Sequence, residues 1–193
     1  MSVHVEAEVK YQISESDYAE FPELMLQFGF TDIGIAQQED TYVSYEPSVL
    51  GGFDFERIRK TVSDVGQVGY SWDRKYSAKD DAGKKVRLED SRVTSQNEYS
   101  ESLALASADC PVVYKKRRNF TGLVGDWPAT VSLDQVNFGS GEEYFIEAEV
   151  ITDPQHGREV RKLCKEWLSH ALGIDTTQEA PGYLKQYFAS MQE

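Results

Sequence analysis

The chain has 193 residues, 40% of them hydrophobic and 27% charged, enough for a single domain over 1–193 with a sizeable core. Its net charge of -13 and isoelectric point near 4.7 argue against partnership with nucleic acid or anionic membranes, which need a basic surface. No apolar run approaches a membrane span and no signal peptide opens the chain. Cys110 and Cys164 lack paired metal-ligand spacing and read as structural thiols, so the expected location is cytoplasmic.

The first predicted strand, Val3 to Tyr11, alternates Val3, Val5, Ala7, Val9 and Tyr11 with His4, Glu6, Glu8 and Lys10. Successive side chains point to opposite faces, so Glu6, Glu8 and Lys10 project in one row, although a solvated edge shows the same alternation. Ser14 or Ser16 can cap a helix to Phe28, with Tyr18, Phe21, Leu24, Met25 and Phe28 as its buried stripe and Gly29 as its end. The strand from Ile33 to Tyr45 contains Gln38, Asp40 and Tyr42, which read as strand-pairing positions. A loop from Glu46 to Asp54 is punctuated by Pro47 and Gly51-Gly52.

Arg57 and Arg59 then share one strand face, with Ile58 on the other. Guanidinium forks bind phosphate oxygens bidentately and stay charged, so this pair suits an oligophosphate; surface salt bridges are the alternative. Val68 to Ser77 reads as a strand with Ser71, Asp73 and Lys75 on one face. A turn at Lys79 to Gly83 leads to the strand Lys84 to Ser91, where Lys85, Arg87 and Glu89 oppose Val86 and Leu88; Lys85 suits either a rim or solvent.

Thr94 or Ser95 can cap a short helix to Ala108, and Pro111 opens a strand from Val112 to Phe120. Alternation splits the basic run Lys115-Lys116-Arg117-Arg118 into Lys115 with Arg117 on one face and Lys116 with Arg118 on the other. Thr121 to Pro128 reads as a loop whose Trp127 either packs or covers a site entrance. Thr130 to Val136 sets Ser132 and Asp134 opposite Val131 and Leu133, and Gly139 and Gly141 turn the chain back. Glu143 to Val150 places Phe145, Glu147 and Glu149 opposite Tyr144, Ile146, Ala148 and Val150. Asp153 and Pro154 open a helix whose apolar face is Val160, Leu163, Cys164, Trp167, Leu168 and Ala171; Gly173 stops it, and His156 and His170 lie on the surface. Pro181 to Met191 reads as a last helix whose Tyr183, Leu184, Tyr187 and Phe188 pack against the sheet, with Lys185 a candidate to reach the interior.

Two strands thus carry Glu-x-Glu opposite an apolar face. If both rows meet in one interior, four carboxylates crowd and raise one another's pKa, a conflict that a hard divalent cation relieves. Glu6-x-Glu8-x-Lys10, the basic strands, and Glu147-x-Glu149 following Asp134 and Gly139 resemble the CYTH family, or triphosphate tunnel metalloenzymes, across nearly the whole chain. The resemblance also covers Gln38-x-Asp40-x-Tyr42, Arg57-x-Arg59, Lys75, Arg87-x-Glu89 and Lys115-x-Arg117 with Phe120, and runs to the segment Gly182-Tyr183-Leu184.

It implies an α+β fold, a closed antiparallel eight-stranded barrel with a charged interior and helices packed outside, those of the C-terminus at about 154–191. Strand alternation around a closed sheet accommodates such an interior. It further implies metal-dependent hydrolysis of a triphosphate such as tripolyphosphate, thiamine triphosphate or ATP. Lys10, Arg57, Arg59, Lys75, Arg87, Lys115 and Arg117 would bind phosphate. Glu6, Glu8, Asp134, Glu147 and Glu149 would hold Mg2+ or Mn2+, and Glu6, Glu8, Lys10, Glu147 and Glu149 would carry the chemistry.

The family includes class IV adenylyl cyclases, which often carry a His-Phe pair upstream of the first acidic motif. Val3-His4-Val5 stands there in this chain. A non-catalytic nucleotide or polyphosphate-binding module is a third reading, against which the complete acidic set argues.

Overall fold

A computed structural model describes residues 4–48, 53–79, 85–139, 141–153 and 155–192. Val3, Gly51-Gly52, the predicted turn beyond Lys79, the side chain of Lys85 and Pro154 lie outside the described residues. The strands are β1 (His4–Ile13), β2 (Thr31–Pro47), β3 (Phe53–Ser63), β4 (Val68–Lys79), β5 (Lys85–Val93), β6 (Val112–Val124), β7 (Trp127–Asn137) and β8 (Glu142–Thr152). They close an antiparallel barrel in the order β1-β5-β4-β3-β2-β6-β7-β8. The helices are α1 (Glu15–Gln27), α2 (Gln96–Leu105), α3 (Gly157–Leu172) and α4 (Tyr183–Ser190). No described helix is long and apolar enough to cross a membrane.

The period-two pattern of β1 and β8 decides which side of the sheet is greasy. Ala7, Val9, Tyr11, Ile146, Ala148 and Val150 turn outward and join Val131, Leu133 and Phe120 beneath α1 and α3. Phe21 and Met25 come from α1, and Val160, Cys164, Leu168 and Leu172 from α3. Each large apolar side chain buried there contributes about 1.5–3 kcal/mol. The larger core of this molecule therefore lies outside its barrel, and the middle of the bore is left to the polar faces.

Local chemistry settles the open choices. Ser14 caps α1 and Ser95 caps α2, each in a reciprocal capping box, with Asp17 and Glu98. Phe28 was expected in the buried stripe of α1 but is 48% exposed: it is the C-cap, and Gly29 at φ 80 turns the chain away there. The expected 121–128 loop is instead a tight hairpin, because β6 and β7 continue to Val124 and from Trp127, turning through Gly125 at φ 61. Gly122 permits this packing, since a Cβ there would meet the Phe30 ring at 2.6 Å. Trp127 packs on the outer core and against His156, not over a tunnel mouth. Asp153 does not cap α3. Its Oδ1 accepts from the backbone N–H groups of Gln155 and His156, closing a turn, and α3 starts after His156 without a side-chain cap.

α4 lies across one end of the barrel. Its Tyr183 and Leu184 meet Tyr42, Val113, Val136 and Phe145 from the inner faces of four strands, with Phe55 and Phe138 beside them. That end of the bore is filled with rings.

Candidate active site

In a tilted barrel, side chains at one height step along from strand to strand, here by two residues from each register partner. Following the step places Glu8, Glu147, Asp134, Lys115, Asp40, Arg57, Lys75 and Arg87 in one layer. The next layer away from α4 holds Glu6, Glu149, Ser132, Arg117, Gln38, Arg59, Asp73 and Glu89. The neighbouring strands β1, β8 and β7 form an acidic wall that carries one cation, Lys10; the other cations line β6, β3, β4 and β5, with Asp40, Asp73 and Glu89 set among them.

The walls are joined by ion pairs. Lys75 reaches across to Glu6, to Glu8 at 2.9 Å and to Glu89 at 3.1 Å. Arg117 binds Asp134, its Nε donating at 2.6 Å, and also Glu147. Lys10 lies 2.5 Å from Glu147. Asp40, with no solvent exposure, takes Arg59 at 2.5 and 2.8 Å, Arg57 at 3.3 Å and Lys115 at 3.3 Å. Arg57 also donates to Asp73 at 2.8 Å, and Arg87 to Asp54 at 2.8 Å.

Burial and charge split the carboxylates into two kinds. Burial, which Lys75 only partly offsets, together with the neighbouring carboxylates holds Glu6 well above its ordinary range. Burial likewise raises Glu149, beside Glu8. Burial also works against ionised Glu8, but Lys75 and Lys10 outweigh it and bring its pKa to about 2. Against the same burial, Arg117 and Lys10 hold Glu147, and Arg59 and Lys115 hold Asp40, well below the carboxylate range. Lys115 goes the other way: burial, with Arg117 beside it, depresses its ammonium to about 7.

The structure brings together Glu6, Glu8, Lys10, Arg57, Arg59, Lys75, Arg87, Lys115, Arg117, Asp134, Glu147 and Glu149. It does not bring Lys185, which is exposed on α4 because the inward face of that helix is taken by Tyr183 and Leu184. Asp40, read as a strand-pairing position, is the hub of the basic wall. Asp73 shares a face with Lys75 and pairs with Arg57, a partnership that alternation alone could not supply. Tyr183, read as packing, enters the bore: its hydroxyl donates to Asp134 at 2.5 Å and Lys10 lies 3.3 Å from its ring centroid.

Among the described residues, no group of three or more carboxylate, imidazole or thiolate side chains is arranged to hold a metal ion. Lys75 supplies the positive charge between Glu6, Glu8 and Glu89. The donor set nevertheless fits Mg2+ or Mn2+. It is all oxygen, and Glu6 and Glu149 are under-neutralised. Asp134 stands apart from that group, committed to Arg117 and Tyr183.

The geometry separates adjacent arginines sharply. Arg117 faces the bore, whereas Arg118 lies outside, 31% exposed at its side chain and paired with Asp32. Arg117→Ala is expected to weaken tripolyphosphate binding by about 1.5–3 kcal/mol, the worth of a charge-assisted hydrogen bond. Arg118→Ala should change it by under about 1 kcal/mol. Calorimetry decides, and the reverse order would contradict the inward assignment of Arg117.

No family model matches the chain, and no curated protein matches it. Solved structures do. The PH1819 protein of Pyrococcus horikoshii OT3 is 22% identical at a TM-score of 0.70, the match covering 95% of this chain and 98% of that one. A Bacillus halodurans protein described as a candidate adenylate cyclase is 15% identical at 0.60, over 97% and 100%. A candidate adenylyl cyclase from Hippeastrum, described as having a dominant triphosphatase activity, is 16% identical at 0.58, over 98% and 96%. These likenesses show that the chain shares the fold of those proteins over nearly its whole length.

Proposed function

We propose that this protein is an enzyme that binds a triphosphate chain along the basic wall of its barrel and hydrolyses a phosphoanhydride bond. Tripolyphosphate, thiamine triphosphate and ATP are the candidate substrates. The observation that carries the reading is the layout of charge: six of the seven inward cations named above gather on β3, β4, β5 and β6, and both Glu-x-Glu pairs lie on the adjoining strands β1 and β8. Arg57, Arg59, Lys115 and Arg117 would exchange carboxylate partners for phosphate oxygens, which present the same bidentate acceptor geometry. Lys10 and Lys75, released from glutamates, would neutralise charge developing on the transferred group. Glu6, Glu8 and Glu149 would hold Mg2+ or Mn2+, with Glu147 adjoining. Such an ion, when bound, supplies Lewis acidity and acidifies water, so no side chain need serve as a dedicated general base. The activity named for the Hippeastrum protein supports hydrolysis over cyclisation.

Phosphate release from tripolyphosphate, thiamine triphosphate and ATP, each with Mg2+, Mn2+ or chelator, tests the reading. Metal-dependent release from at least one is expected, and none from any would contradict it.

Lys115 gives the binding step a pH signature. Phosphate oxygens favour its ammonium, so binding at pH 8 should draw in about one proton more than in Lys115→Met, measured by calorimetry in buffers of different ionisation enthalpy. The stability effect has a definite sign. Folding depresses this pKa, so above about 7 the folded state binds fewer protons than the unfolded one. Wild type should therefore gain stability relative to Lys115→Met as pH rises from about 7 toward 10.5. Equal proton uptake in the two proteins would contradict the assignment.

A further inference from the structure

Tyr183 reaches the charged layers from a helix, not from the sheet. Its hydroxyl is committed to Asp134 Oδ2 at 2.5 Å, and its ring lies against the ammonium groups of Lys10 and Lys115, 3.3 and 4.9 Å from the centroid. Behind it stand Phe145 and Phe138, with ring centroids 5.4 and 6.2 Å away. Depth of burial follows: Tyr183 is 4% exposed and Asp134 not at all. At the opposite end of the barrel, Ile151 is 53% exposed on an inward-facing position of β8. A phosphate chain lying along Arg117 and Lys115 therefore meets aromatic rings in one direction and solvent in the other. A close-packed interior leaves no volume for an ester group where the Tyr183 ring sits.

We infer that Tyr183 is the floor of the phosphate-binding bore and determines specificity: the protein takes linear oligophosphates with one unesterified end. The terminal phosphoryl group rests against Tyr183, and the remainder of the molecule extends toward the open rim. Oligophosphates esterified at both ends do not seat. The inference deepens the triphosphatase reading and rests on it, since it requires an oligophosphate in the bore.

Calorimetry without metal separates the two, because binding is read without turnover. The ligands are tripolyphosphate, adenosine 5′-tetraphosphate and a tetraphosphate carrying adenosine at both ends. Wild type should bind the singly esterified tetraphosphate at least a hundredfold more tightly than the doubly esterified one. Tyr183→Phe, which keeps the ring, should preserve that ratio, and Tyr183→Ala should reduce it at least tenfold. The Phe comparison separates the ring's bulk from its hydrogen bond to Asp134, and the wild-type ratio decides the matter even where Tyr183→Ala does not fold. Equal binding of both tetraphosphates, or an unchanged ratio in folded Tyr183→Ala, overturns the floor. Tripolyphosphate bound but never hydrolysed with metal would sink the hydrolase reading and leave the floor intact. Failure of all three ligands to bind overturns both.

Discussion

Asp40→Asn is expected to destabilise the empty protein by about 3–5 kcal/mol, the cost of breaking a buried ion pair and leaving its partners unpaired. Asp40 has no solvent exposure and holds Arg57, Arg59 and Lys115 together. Without it, Arg59 and Lys115 lose that carboxylate and Arg57 keeps only Asp73. A bound tripolyphosphate would give them other anionic oxygens. The ligand should accordingly raise the melting temperature of Asp40→Asn more than that of wild type, since it binds only the folded state. The pH dependence has a definite sign. Asp40 is held well below its ordinary 3.8, so its contribution is fully present above that value and is lost as pH falls toward the folded pKa. A destabilisation under about 1 kcal/mol, or an equal ligand shift in both proteins, would contradict the hub role.

On the acidic wall, Glu149→Gln should lower metal-dependent turnover at least about a hundredfold. A catalytic metal contributes several kcal/mol to transition-state stabilisation, and each 1.36 kcal/mol is tenfold in rate. The same substitution should leave the empty protein as stable as wild type at neutral pH, or more so. Folding raises the Glu149 pKa, and a carboxyl so raised disfavours folding once pH exceeds its unfolded value. Glu147→Gln should differ: it also removes the partner of Lys10 and Arg117, so the empty protein loses stability together with activity. Unchanged turnover in both variants, by phosphate release, would remove the acidic wall from the chemistry.

Much of the site was legible because alternation is a strong signal in strands. The Glu-x-Glu rows of β1 and β8, the Arg57/Arg59 face, and the choice of Lys115 and Arg117 in the basic run all followed from period two and the family resemblance. Neither source gives partnership between strands. Asp40 and Asp73 lie on interior faces, yet Asp73 meets Arg57 through the β3–β4 register and Asp40 meets it diagonally from β2, and no single strand encodes either pairing. Tyr183 lay within the resemblance, but its place in the bore was hidden for a different reason. A tyrosine in a short apolar helix reads as packing, and only the lie of α4 across the barrel end sends its hydroxyl to Asp134. The 121–128 segment misled through composition: two glycines, an aspartate and a proline signal a loop. In the fold, Gly122 admits the Phe30 ring within a continuous strand.

Phosphorus NMR of the products, with Mg2+ or Mn2+, shows which bond the enzyme breaks. Hydrolysis and cyclisation use the same charges but break different bonds. Cyclisation also requires the nucleoside immobilised with its 3′-oxygen held near the α-phosphorus. Tripolyphosphate is expected to be cleaved to pyrophosphate and phosphate, and any turnover of ATP to yield ADP and phosphate. Cyclic AMP and pyrophosphate from ATP, with tripolyphosphate left intact, would contradict it.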